Sequence, residues 1–113
     1  MIDMQMQLDV AKAMGLPNAA IFDNCIIYRN NLTSAMSAAV VNFLTAEGFG
    51  ILVDWLAANN HDIEIEKKRV KVWYPEAGKI SWLFMDYDGI SMSLFEATLI
   101  AAHKVLCGEN HDN

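Results

Sequence analysis

The chain has 113 residues, 54% of them hydrophobic, with 8 Lys plus Arg against 14 Asp plus Glu and a formal net charge of −6. This length supports a single hydrophobic core, since domains typically take about 100 to 150 residues, and so high an apolar share offsets the entropy of ordering and excludes an intrinsically disordered chain. Eight basic residues in an acidic chain are a poor supply for neutralising the phosphates of a double helix, so direct duplex DNA binding is not expected.

Asp3 is placed to cap a first helix over residues 4–14, in which Met4, Leu8, Ala11 and Met14 recur at helical spacing; Gly15 before Leu16-Pro17 ends it. Residues 18–32 hold two short apolar runs, Ala19 to Phe22 and Cys25 to Tyr28, separated by Asp23-Asn24, and read as a loop that can hold a short strand. Thr33 or Ser34 then caps a helical run in which Met36, Val40, Phe43 and Leu44 share a face. Ala38, Ala39 and Val41 make its other faces apolar too, and a helix apolar all round is buried on more than one side. Glu47-Gly48-Phe49-Gly50 breaks or bends it, and a second helical run carries Ile51, Leu52, Trp55 and Leu56 to Asn59-Asn60.

From His61 the period changes from helical to alternating. Ile63 and Ile65 alternate with Asp62, Glu64 and Glu66; after Lys67-Lys68, Val70, Val72 and Tyr74 alternate with Arg69, Lys71 and Trp73, which is the pattern of a hairpin. Pro75-Glu76-Ala77-Gly78 supplies turn chemistry, and a third strand follows with Ile80, Trp82 and Phe84 as its inward set. Leu83, Met85 and Trp73 then lie on the face opposite Val72 and Trp82, so both faces of the sheet need cover. Tyr87-Asp88-Gly89 turns the chain, and Ser93-Leu94-Phe95-Glu96 has the form of a capping box. Phe95, Leu99, Ala102 and Leu106 give the last helix an apolar stripe that docks on the sheet, and Gly108 ends it. The predicted fold is α+β in a single domain, 1–113: a small antiparallel three-stranded sheet with helices before and after it, in the order α-α-β-β-β-α.

Residues 1–66 hold Lys12 and Arg29 against eight acids, whereas 67–113 hold six of each sign. Met1-Ile2-Asp3-Met4-Gln5 has no basic region ahead of an apolar run, so no secretory signal is expected. Two cysteines, Cys25 and Cys107, are too few for a disulfide framework and fit a reducing cytoplasm. The stretch Asn30 to Ala46 lacks charge, but its Asn, Thr and Ser residues exclude a spanning helix, which needs about 20 predominantly apolar residues.

The helix before the sheet, the two or three strands, and a final helix that opens Ser93-Leu94-Phe95-Glu96-Ala97 and continues Ile100-Ala101-Ala102-His103-Lys104-Val105-Leu106 resemble the phage α/β/α-sandwich (phage ABA sandwich) domain family, a group of small phage and prophage proteins. The likeness runs from about Gly50 to Leu106, and Leu8 to Gly15 is similar to that family's N-terminal helix ending in methionine-glycine. The chain departs from the family at Phe95, where proline is preferred, and in residues 18–47, which run longer. These are capping and core positions, so the resemblance implies a fold and a phage or prophage origin; family members share no assigned activity. With the small acidic chain it implies a non-enzymatic binding protein in the host cell cytoplasm. Such a protein can inhibit a host antiviral defence system, as anti-CRISPR proteins do, by blocking a host protein complex or sequestering a small signalling nucleotide. The alternative, from a different class, is a structural or interaction domain used as a phage accessory or assembly adaptor.

Four of the eight basic residues, Lys67, Lys68, Arg69 and Lys71, fall within five positions of the hairpin, near Trp73, Tyr74 and Trp82. Ammonium and guanidinium donors bind anions, and an adjacent aromatic face can stack a base; lysines also blunt a sheet edge. Lys67, Lys68, Arg69, Lys71, Trp73 and Trp82 are therefore the candidate contacts for an anion or an acidic partner surface. Self-association, as a dimer, is expected through Met36, Val40, Phe43 and Trp55, on the apolar faces of the predicted 33–58 helices. His103, Cys107 and His111 are spaced four and four, but the set lacks a fourth ligand and Gly108 interrupts it, so no metal is expected. Asp86-x-Asp88-Gly89 starts like a calcium loop but lacks the remaining ligands and reads as a turn. No serine elbow, cysteine signature or phosphate loop occurs, so neither catalytic residues nor a cofactor are expected.

Overall fold

The structure, a computed structural model, describes residues 4–30, 37–76 and 79–107. Among these residues the fold is α+β, with three helices and two antiparallel three-stranded sheets. No helix among them is long and apolar enough to cross a membrane.

Helix α1 (Met4–Ala13) buries Gln7, Val10 and Ala11. It ends as the sequence predicts: Gly15, at φ +82°, donates to the Lys12 carbonyl (3.0 Å), and Leu16 donates to that of Ala11 (3.1 Å). This crossed pair satisfies the last carbonyls of the helix, and the left-handed conformation it needs favours glycine.

Residues 18–47 depart from the expectation. Strands β1 (Ala20–Phe22), β2 (Cys25–Asn30) and β3 (Ser37–Val41) form a sheet in that order. Phe22 pairs with Cys25 around a two-residue turn, Asp23-Asn24, with Asp23 at φ +58°, which is where Asp and Asn are tolerated in tight hairpins. The helix expected to start at Thr33 or Ser34 does not extend through 37–41, and residues 31–36 lie outside the described residues. Ile26 pairs with Val41, Ile27 with Val40 and Tyr28 with Ala39, so Ala39 and Val41 face inward while Ala38 and Val40 face outward. Alanine suits either period; the consecutive valines and a ready partner strand decide for β.

Helix α2 (Ala46–Ala58) begins only after β3, with Thr45 as its cap accepting from Gly48 N–H. Gly48 and Gly50, expected to break or bend a helix, lie within its first two turns. Gly48 is needed there: a Cβ on it would stand 1.9 Å from the Asn42 carbonyl oxygen, whereas one on Gly50 would meet nothing within 4 Å. Buried Gln7 ties α1 to the same corner. Its carbonyl accepts from Phe43 N–H (2.9 Å) and its amide donates to Asn42 Oδ1 (3.2 Å), which also accepts from Leu44 N–H (2.9 Å).

Strands β4 (Ile63–Ile65), β5 (Arg69–Glu76) and β6 (Lys79–Asp86) form the second sheet. Its hairpin around Lys67-Lys68 forms as predicted, but β5 continues through Pro75 and Glu76, where the sequence predicts a turn. Trp73 N–H donates to Asp62 O on the β4 side. Pro75, two residues on, has its nitrogen on that same side beyond the end of β4, so no ladder donor is lost. The inward set of the third strand is also reversed. Val72 pairs with Leu83 and Val70 with Met85, and this face is covered, whereas Trp73 pairs with Trp82 and Lys71 with Phe84 on a face open to solvent. Both residue sets of β6 are apolar, so pattern alone does not fix the face, and a shift of one residue inverts it.

Helix α3 (Leu94–Cys107) starts at the predicted capping box: Glu96 N–H donates to Ser93 Oγ (3.1 Å) and Ser93 N–H donates to Glu96 Oε1 (2.8 Å). Gly108 lies outside the described residues. The stripe that docks on the sheet is not the predicted one. Leu99 and Ala102 pack with α1, α2 and the first sheet, and Phe95 meets Phe49 of α2 with ring centres 5.0 Å apart. Ala97, Ala101 and Val105 pack on Val70 and Val72 of the second sheet. The helix is buried on two sides, and its small alanines let the sheet approach closely. Ile63 and Leu106 touch both clusters and join them.

Candidate partner-binding surface

The tip of the β4–β5 hairpin is closed by Glu66 N–H donating to Arg69 O (2.7 Å), which leaves Lys67 and Lys68 as the exposed turn. Tyr87, just past β6, lashes this tip down: its N–H donates to Lys68 O (3.0 Å) and its hydroxyl to Glu66 O (2.8 Å). Glu66, Lys67, Lys68, Arg69, Asp86 and Tyr87 line an open cleft of about 540 Å³.

Arg69, Lys71 and Trp73 share the outer face of the second sheet with Trp82 and Phe84, which are 37% and 53% exposed. Each cation on this face already has carboxylate partners. Arg69 Nε lies 2.7 Å from Asp86 Oδ1, and Lys71 Nζ lies 3.0 Å from Glu66 and 3.3 Å from Glu64. Hydrogen bonding to Asp86 raises the Arg69 pKa, hydrogen bonds to Glu66 and then Glu64 raise that of Lys71, and the Arg69 hydrogen bond holds Asp86 below the ordinary carboxylate range. The same cations lie over rings: Arg69 is 5.2 Å from the centre of Phe84, and Lys71 is 5.6 Å from Trp82 and 6.0 Å from Phe84. Trp73 and Trp82 are 6.3 Å apart at 47°.

The structure thus places Arg69, Lys71, Trp73 and Trp82 along one face of the second sheet, with Lys67 and Lys68 in the turn beyond it, and divides the cations by their pairing. Arg69 and Lys71 are neutralised within an aromatic face. Lys67 and Lys68 have no ion-pair partner among the described residues and carry the uncompensated charge. Sequence proximity hides this, because Glu64 and Asp86 come from the neighbouring strands and Glu66 from the far side of the hairpin turn.

The residues assigned to self-association do not converge. Met36 lies outside the described residues. Phe43 is fully buried in the chain's own core, and Trp55 is half-buried and stacked on the His61 ring. Phe43 falls in the connection after β3 and not on a helix, whereas Trp55 lies on α2 as the sequence predicts but turns towards His61. Val40, 62% exposed, stands on the outer face of the first sheet beside Ile27 and near Phe22, which is 64% exposed. Phe22 and Ile27 were missed; the signal was two β-prone runs flanking Asp-Asn, a hairpin pattern.

His103 Nε2 lies 3.3 Å from Asp9 Oδ2, joining α3 to α1, Cys107 is exposed at the end of α3, and His111 lies outside the described residues. Among the described residues no three His, Cys, Asp or Glu groups are placed to hold a metal. Asp88 caps the β6–α3 turn: hydrogen bonds from Ile90, Ser91 and Met92 hold its carboxyl far below the ordinary carboxylate range. Comparison with known proteins gives no match, whether to family models, curated proteins or solved structures.

Proposed function

We propose that the protein is a non-enzymatic binding protein of phage or prophage origin that inhibits a host antiviral defence system, and that it makes contact at the tip of the second sheet. The phage part of this reading rests on the resemblance of residues 50–106. The contact rests on one observation: in a chain of net charge −6, two adjacent ammonium groups, Lys67 and Lys68, stand without ion-pair partners among the described residues and line the cleft beside Tyr87. An anionic group there gains from both cations, and Phe84 and Trp82 extend the surface with exposed rings. The target is an acidic site on a host complex or a small signalling nucleotide. Affinity purification from host lysate beside native mass spectrometry distinguishes the two, and the double substitution Lys67→Ser, Lys68→Ser should weaken capture of either while leaving the fold intact. A folded double variant that captures the same target at wild-type level overturns the assignment.

The second reading is a structural or interaction domain that self-associates. It is favoured by the outer face of the first sheet, where Ala20, Phe22, Cys25, Ile27, Ala38 and Val40 leave Arg29 as the charged side chain among them. Exposed contiguous apolar surface of this kind is uncommon on monomers. A monomer mass by sedimentation at tens of micromolar would remove this reading.

A further inference from the structure

The turn between β6 and α3 is built around a single carboxylate. Asp88 accepts from the backbone N–H groups of Ile90 (2.9 Å), Ser91 (2.9 Å) and Met92 (3.1 Å) and from the Ser91 hydroxyl (2.7 Å). Gly89, at φ +80°, donates to Met92 O (2.8 Å). The backbone is therefore fixed on both sides of Ile90, yet the Ile90 side chain is 94% exposed. An aliphatic side chain held out on a braced turn gains nothing from folding, and it gives up little backbone freedom when something covers it, which is the preorganisation that favours an anchor.

Tyr87 places this anchor beside the basic tip. It lies one residue before Asp88, and its hydrogen bonds to Lys68 and Glu66 hold the two turns together. A second, shallow open depression of about 290 Å³, lined by Asp86, Tyr87, Asp88, Ser91 and Met92, shares Asp86 and Tyr87 with the cleft at Lys67 and Lys68.

We infer that Ile90, Lys67 and Lys68 form one docking end that fits a folded protein, with Ile90 entering an apolar pocket and the two lysines meeting an acidic rim around it. This rests on the binding reading above and names its partner class. Asp86 is paired with Arg69, Glu66 with Lys71, and Asp88 is bound by its own turn, so Lys67 and Lys68 are the charges left to select acidic groups on the partner, and the braced aliphatic anchor favours a protein over a nucleotide, whose phosphates would use the lysines and leave Ile90 in water.

The test places a photo-crosslinking amino acid at position 90 of the full chain, and in a second preparation at position 54, an exposed site on α2. Both are irradiated in a bacterial host lysate. The protein captured from position 90 is identified, its crosslinked segment is mapped, and it is purified for affinity measurements against wild type, Ile90→Asp and the Lys67→Ser, Lys68→Ser double variant. The expected result is capture from position 90 and not from 54, at an apolar segment flanked by acidic residues. Ile90→Asp should weaken binding about 10- to 100-fold, and the double variant should weaken it and flatten the salt dependence. All variants should melt as wild type does, since these side chains are exposed. The inference is overturned if position 90 captures nothing or only a second copy of this chain, or if Ile90→Asp binds as tightly as wild type. If the lysine variant alone loses its target, whether protein or nucleotide, the binding reading stands and the Ile90 anchor falls; if neither variant has an effect, both fall.

Discussion

Gly48 and Gly50 offer a matched pair of substitutions within the first two turns of one helix. At Gly50 an added methyl meets nothing within 4 Å, so Gly50→Ala should stabilise the protein by about 0.5 to 1 kcal/mol through helix propensity alone. At Gly48 the same methyl stands 1.9 Å from the Asn42 carbonyl oxygen and 2.9 Å from Phe43 Cα, both backbone atoms. Restoring ordinary contact requires the helix start and the 42–43 backbone to separate by about 1.5 Å. That separation strains three bonds: Thr45 Oγ1 to Asn42 O (2.7 Å), Gly48 N–H to Thr45 Oγ1 (3.1 Å) and Phe43 N–H to Gln7 Oε1 (2.9 Å). Overpacking costs about 1 to 3 kcal/mol and loss of a threonine cap about 1 kcal/mol, so Gly48→Ala should destabilise by about 2 to 4 kcal/mol. Urea unfolding followed by tryptophan fluorescence measures both variants. Equal stability of the two would mean that α2 does not press on the β3–α2 connection as described.

Other perturbations follow the same reasoning. Ser93→Ala removes the capping acceptor of α3 and should cost about 0.5 to 2 kcal/mol; an unchanged urea midpoint would show that Glu96 N–H finds water instead. Gln7→Met keeps the length of the side chain but leaves buried Phe43 N–H unpaired, at a cost of about 1 to 3 kcal/mol; unfolding at the wild-type denaturant concentration would contradict this. Asp88 has a depressed folded-state pKa, so its contribution is present above the ordinary carboxylate value of about 4 and is lost as pH falls below it. Melting temperatures between pH 2 and 7 should therefore fall less steeply on the acid side in Asp88→Ala than in wild type, and parallel curves would refute the role of its hydrogen bonds.

The second half of the chain was legible because its signals are local and redundant. The Lys67-Lys68 hairpin has strict alternation on both arms, and the Ser93 and Glu96 capping box names its own hydrogen bonds. Residues 18–47 were harder because Ala38, Ala39 and Ala46 suit both periods, and the choice for β3 depends on pairing with β2, a tertiary contact. The reversed face of β6 has the same origin: Trp82 and Phe84 are as apolar as Leu83 and Met85, and the packing of α3 through Ala97, Ala101 and Val105 selects which set is covered. At the candidate site the sequence located the basic residues but could not divide them, because Glu64, Glu66 and Asp86 come to Lys71 and Arg69 across strands. Ile90 was overlooked because a lone aliphatic residue in a turn carries no pattern; its exposure has meaning only beside the hydrogen bonds of Asp88.

The most direct test of the basic tip is functional. A phage-restricting bacterial host expressing wild-type protein, or the Lys67→Ser, Lys68→Ser variant at equal soluble level and equal melting temperature, is challenged with a restricted phage, and efficiency of plating is counted. Wild type should restore plating and the double variant should not. Restoration of plating by the folded double variant would contradict contact through Lys67 and Lys68.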